Sequence, residues 1–366
     1  MLTTLLSVAA LAAPAAPAFD PYNAYLWNKA NRDRHNGKVD RGDWFEWWYY
    51  KVVPPKSETT SDEDAFYFVY GIVNPWDEAR SNAASRAYVG FGSFADKRMA
   101  ELRLAPGEFR GSYDSTDVRV GGANVATDRA LVGRVDDVEW NIALERDWTF
   151  NAMGWAMSKD WLFNIYWYPA QASAFMTGDV RIGDRKIHLD HAPAYQDRNW
   201  GTSFPAWWTW IVSNNFKSSP GTVLAAGGGR PKLAGGFDAF EGVTIGLRLG
   251  GSGGPEYAFR PVDGDRVRVD VSFGKWEVVA RNSRGEEIRI SAFAPREKFM
   301  DLKFATPQGQ VFHDFEALRG HVSVKLYKRL KLVAALESDD AGIEYGSADA
   351  HALENAFGDG RAELFR

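Results

Sequence analysis

His188–Trp210 reads HLDHAPAYQDRNWGTSFPAWWTW: two His, two Asp, an Arg, an Asn and a Tyr beside four Trp. Such a mixture suits neither plain core nor plain surface. It suits a pocket wall, where an apolar ligand meets a few placed polar groups. Strand-like segments flank it on both sides. Upstream lie Trp44–Val53, Ala65–Asn74 (stopped by Pro75), Ala87–Phe94, Met99–Leu104, Val138–Leu144, Trp161–Tyr168 and Ala174–Ile182. Gly183-Asp184 turns tightly into Lys186–Leu189, a hairpin signature. Downstream lie Trp207–Ser213, Thr222–Gly227, Val243–Leu249, Val267–Phe273, Trp276–Arg281, Glu287–Phe293, His321–Leu326, Leu332–Glu337 and Gly342–Tyr345.

These runs recur at roughly the 8–12-residue spacing of sandwiches and barrels, without sustained helical periodicity or βαβ alternation. The fold class expected is all-β: two antiparallel β domains, sandwiches or barrels, with the pocket at or near their interface. The expected boundaries are 1–18 for a leader, 19–195 for the first β domain and 196–366 for a C-terminal β domain. A short helix over Ala348–Phe357 is expected to close the chain. Gly227-Gly228-Gly229-Arg230 lacks the Gly-Lys-Ser/Thr ending of a phosphate loop and reads as a tight strand-end loop.

Composition narrows the function. The 366 residues are 45% hydrophobic and 25% charged, with net charge -5, so a real core is expected and a basic nucleic-acid surface is not. Aromatic content is 14%, with 15 Trp, which fits large cores and an aromatic-lined cavity alike. The absence of Cys removes disulfides, thiolate nucleophiles and Cys-metal sites. His188 and His191 with Asp190 find no third ligand at a recognisable spacing, so no metal site and no cofactor are expected. The apolar run Leu2–Ala13 followed by Ala16-Pro17-Ala18 predicts a secretory leader cleaved before Phe19, hence the secretory pathway or the outside of the cell. Any membrane contact is expected to be peripheral, and oligomeric state is left open.

Taken together, Phe45-Glu46-Trp47-Trp48-Tyr49, the Phe66–Pro75 strand, Ala192–Gly201 with its Tyr-x-Asp-Arg-Asn-Trp-Gly core, Phe204-Pro205, Trp208, Trp210 and Ala225–Gly229 resemble the tocopherol cyclase family and its lipocalin-like relatives. The resemblance runs from about Trp44 to Tyr327. It implies two antiparallel β domains, sandwich or lipocalin-like barrels with the C-terminal one (196–366) lipocalin-like, and closure of a prenylated phenol or quinol to a chroman. Two features depart from it. The core acid is Asp197 where the plant enzymes would carry Glu, and the leader is not of the basic, Ser-rich plastid type.

Acid-driven closure needs a protonated carboxyl in an apolar surround and aromatic faces beside the cation. Asp197 is the first candidate acid, with pairing to Arg198 as its bland alternative. Glu46 is the second, with a buried Glu–Arg pair as its alternative. Tyr195 and Asn199 are candidate partners of a phenol oxygen. Trp48, Tyr70, Trp167, Trp200, Trp208, Trp210 and His191 are candidate substrate contacts. Strand alternation puts Glu46 and Trp48 on one face and Phe45, Trp47 and Tyr49 on the other, and sets Trp208 and Trp210 against Trp207. The expected partner is a small apolar aromatic or isoprenoid molecule. Beside protonation-driven cyclisation stand a hetero-Diels–Alder pericyclase of secondary metabolism and a non-catalytic carrier of apolar ligands.

Overall fold

The computed structural model describes residues 20–27, 42–77, 84–233, 236–237, 241–272 and 275–351. The expected leader, and all of the expected C-terminal helix beyond residue 351, lie outside them. Residues 348–351 form a bend and a turn.

Eleven strands form the first sheet: β1 (Phe45–Val52), β2 (Phe66–Val73), β3 (Arg86–Ser93), β4 (Arg98–Leu104), β5 (Phe109–Gly111), β6 (Asp117–Val120), β7 (Asn124–Thr127), β8 (Ala130–Val135), β9 (Val138–Trp148), β10 (Ile165–Ile182) and β11 (Arg185–Gly201). The second sheet holds β12 (Trp207–Ser213), β13 (Val223–Gly229), β14 (Gly242–Arg248), β15 (Glu256–Phe259), β16 (Arg266–Ser272), β17 (Lys275–Arg281), β18 (Glu286–Phe293), β19 (Met300–Ala305), β20 (Val311–Lys328) and β21 (Lys331–Ser347). The spatial orders are β4-β3-β2-β1-β11-β10-β9-β8-β7-β6-β5 and β15-β14-β13-β12-β21-β20-β18-β17-β16, with β19 added on β20. Every pairing is antiparallel, so the fold is all-β with two antiparallel sheets.

Each sheet curls around its own core. Trp48, Tyr50, Phe68, Tyr70, Trp140 and Trp200 fill the first. Ile245, Phe259, Trp276, Ile290 and Val324 are among those that fill the second. A third apolar layer lies between the sheets, where Phe45, Trp47, Tyr49, Tyr67 and Tyr195 meet Trp210, Phe312 and Phe304. This layer explains the sequence of β1. Its eight residues are all buried because one face turns into the first core and the other into the intersheet layer.

Three expectations are corrected. A domain boundary after residue 195 would cut β11, which stays paired with β1 through Gly201, so the sheets divide between Gly201 and Trp207. Gly227-Gly228-Gly229 is the end of strand β13, not a loop, because all three pair with β12 and β14. There Gly227 lies under the Trp167 ring, and a Cβ at this position would stand 2.9 Å from it. Finally, β20 begins at Val311, ten residues before the strand expected at His321. Its first half pairs with β19 and its second with β18, and register shifts around Gly320 let one strand serve both neighbours.

Candidate active site between the two sheets

A cavity of about 150 Å³ opens in the intersheet layer. Strand alternation builds its first wall. On β1, Trp47, Tyr49 and Lys51 point out of the first core, and they stand directly opposite Asn199, Asp197 and Tyr195 of β11. Trp167 of β10 is the next neighbour of Asn199. The second wall comes from β12, β21 and β20. There Trp208, Gly346 and Asp314 form one cross-strand row, and Trp210, Glu344 and Glu316 form the next. Gly346 is small for a reason: a Cβ would stand 2.3 Å from the Trp208 indole.

Asp197 is 4% exposed. Its Oδ2 accepts from Trp167 Nε1 at 2.7 Å and from the Tyr195 hydroxyl at 2.9 Å. Trp210 Nε1 in turn donates to that hydroxyl at 3.2 Å. Among the described residues Oδ1 has no hydrogen-bond partner. Burial pushes the Asp197 carboxyl up to about 7, against the two hydrogen bonds that favour its ionised form. Arg198 cannot neutralise it, because alternation turns Arg198 to the opposite face.

Asn199 holds the wall in place. With its amide oriented to satisfy both neighbours, it donates to the Tyr166 carbonyl at 3.1 Å and accepts from Trp47 Nε1 at 3.0 Å. Trp47 stacks on Phe304, with ring centroids 5.5 Å apart, and Trp208 on Phe312 at 4.3 Å. The walls are therefore aromatic faces around a few polar atoms.

The cavity thus gathers Asp197, Asn199, Trp167, Trp208 and Trp210, with Tyr195 directly behind Asp197. Other candidates lie elsewhere. Glu46 sits on the inner face of β1, fully buried and paired with Arg198, and it accepts from Leu26 N at 3.1 Å and Trp44 Nε1 at 2.9 Å. Burial raises its carboxyl pKa, and Arg198 opposes the shift. Arg198 also donates to the Tyr22 and Ala24 carbonyls, so the pair fastens residues 20–27 to the first sheet. Trp48, Tyr70 and Trp200 belong to that same core, with the Arg198 guanidinium 4.5 Å from the Trp48 ring and 4.9 Å from that of Trp200. His191 lies on an exposed part of the β10–β11 hairpin, stacked on Phe175. It has no place at the cavity.

The sequence reading missed three carboxyls: Asp314, Glu316 and Glu344. Asp314 and Glu344 line the cavity. Trp208 Nε1 donates to Asp314 Oδ1 at 3.2 Å, and the Tyr49 hydroxyl donates to Glu316 Oε1. All three have pKa values raised well above the ordinary range, chiefly by burial and then by mutual repulsion among the acids. Lys51, itself lowered to about 8 by burial, is the cation whose charge reaches Glu316. A signal was available in Phe312-His313-Asp314-Phe315-Glu316. Two acids two residues apart share a face wherever the segment is a strand.

Comparison with known proteins gives this geometry a family. The tocopherol cyclase-like family model matches residues 132–347. Over 313 residues the chain is 25% identical to "Probable tocopherol cyclase, chloroplastic" of Oryza sativa subsp. japonica, covering 70% of this chain and 64% of that protein. Over 315 residues it is 25% identical to "Tocopherol cyclase, chloroplastic" of Zea mays, with the same 70% and 64% coverage. The chain therefore spans just under two thirds of these relatives. Among solved structures, an AttH-type protein of Nitrosomonas europaea aligns with a TM-score of 0.49 at 15% identity, over 83% of this chain and 92% of that one. Kievitone hydratase of Nectria haematococca aligns at 0.44 and 12%, over 82% and 88%. Since the family model covers more than half of the 366 residues, the chain belongs to the tocopherol cyclase-like family.

Proposed function

We propose that this protein is a cyclase that closes an oxygen heterocycle on an apolar prenylated phenol or quinol, with Asp197 as the proton donor. The observation that carries the reading is the Asp197 carboxyl. It is buried in an aromatic-walled cavity and held through one oxygen by Trp167 and Tyr195. Its other oxygen has no partner. A carboxyl near 7 keeps a protonated fraction at neutral pH, as a general acid must. The product of alkene protonation is a tertiary cation. Trp47, Trp167, Trp208 and Trp210 line the cavity, and their π systems are the groups that would stabilise it. A cavity of about 150 Å³ takes a benzene-sized group, so it holds the reacting end of the substrate while the rest extends beyond it.

The test is turnover of an ortho-prenylated dimethylhydroquinone in heavy water. The expected chroman carries deuterium at the former alkene carbon, and Asp197→Asn slows its formation about 10²–10⁴-fold while ligand still binds. Unlabelled product with near-normal turnover in Asp197→Asn would favour a pericyclic reaction. Binding without product in either protein would favour a carrier.

A further inference from the structure

Cyclisation by protonation is an isomerisation. Each proton given to the alkene is matched by one taken from the phenol, so the site needs an acceptor as well as a donor. The inference drawn from this rests on the cyclase reading above. Asp197 stands on the first sheet. Facing it from the second sheet, Asp314, Glu316 and Glu344 bring carboxylate oxygens within 4.8 Å of one another. Asp314 and Glu344, both members of this group, line the cavity. Buried carboxyls this close repel each other when both are ionised, so one partner keeps a proton and the other is able to accept one. Glu316, fully buried, does not line the cavity. Its Oε1 is held by Tyr49, and its Oε2 has no partner. On the opposite wall Asp197 Oδ1 is likewise buried without a partner. Of these two oxygens only that of Asp197 belongs to a residue on the cavity wall, where a ligand's polar group can complete its hydrogen bonding.

We infer that the Asp314–Glu344 pair is a second proton station that removes the phenol proton while Asp197 supplies the alkene proton. The Asp197 O–H bond breaks and its proton forms a C–H bond at the less substituted alkene carbon. A phenol oxygen lone pair traps the tertiary cation and forms the C–O bond. The phenol O–H electrons stay on oxygen, and that proton passes to the ionised oxygen of the pair. No oxidant or reductant is consumed. The cycle closes when a proton returns from the pair to Asp197 through solvent as product leaves. Trp208, bonded to Asp314, fixes the direction of the pair.

The full chain is assayed with the same prenylated dimethylhydroquinone, and binding is measured with its saturated-chain analogue. Glu344→Gln and Asp314→Asn should each lower kcat about 10²–10⁴-fold, the range of general acid–base catalysis, and leave analogue binding unchanged. Product from Glu344→Gln in heavy water should still carry deuterium, because Asp197 remains the donor. Glu344→Ala should regain turnover when formate is added, and Glu344→Asp should retain most of it; a merely structural Glu344 would show neither. Wild-type kcat in Glu344→Gln overturns the inference alone. So does a loss of analogue binding without formate rescue. No chroman from the wild-type protein overturns the cyclase reading, and the second station with it.

Discussion

Replacing Asp197 by Asn should make the folded protein more stable at alkaline pH while removing its proposed activity. The folded state holds the Asp197 proton up to about 7, against an ordinary value of 3.8. Since the folded value is raised, the folded state binds the proton more tightly than the unfolded chain does. The associated stability is fully present below about pH 4 and is lost as pH climbs through 7. Three pH units at 1.36 kcal/mol each amount to about 4 kcal/mol of destabilisation above pH 7. The carboxyl is buried, so solvent screening reduces this little. Asn does not titrate, and its Oδ1 can still accept from Trp167 and Tyr195. The mutant should therefore gain on the wild type from about pH 4 upward and reach a plateau of up to about 4 kcal/mol near pH 8. Urea unfolding of both proteins at about pH 4, 6 and 8 measures the difference, and subtraction cancels every acid common to the two. A stability difference that is the same at all three pH values would refute the desolvated carboxyl, and with it the premise that Asp197 is poised to donate.

Further outcomes follow from the same contacts. Trp167→Phe removes an indole donor that favours ionised Asp197, so the alkaline limb of the pH–rate profile should move upward; an unchanged limb would show that Trp167 does not tune the acid. Glu46→Gln strands the Arg198 charge in the first core and should destabilise by about 3–5 kcal/mol in urea unfolding, with product identity unaltered in the protein that remains folded. Gly346→Ala forces its Cβ against the Trp208 indole and should cost about 1–3 kcal/mol, with a shift in Trp fluorescence as the ring moves into the cavity. A neutral result there would mean that the second wall yields freely.

What the sequence determined is local. Period-two alternation in Phe45–Tyr49 separated Glu46 and Trp48 from Trp47 and Tyr49, and alternation in Trp207–Trp210 set Trp208 and Trp210 together. Both separations hold in the structure. Strand spacing and the lack of helical periodicity were enough for the all-β class, and the Tyr-x-Asp-Arg-Asn-Trp-Gly core, taken with Phe45–Tyr49, Phe66–Pro75 and Ala225–Gly229, was enough for the family. Alternation states which residues share a face, but not what the face meets. Tertiary structure alone decided that the Trp47 face looks across at a second sheet, whereas Glu46, Trp48, Tyr70 and Trp200 fill the inside of the first. It also decided that Arg198 pairs with Glu46 across β1 and β11, so that among the described residues no cation pairs with Asp197. The acids Asp314 and Glu344 lie more than a hundred residues from Asp197, on strands that meet it only because the sheets stack. Their raised proton affinity comes from burial and mutual repulsion, which exist only once the chain is folded.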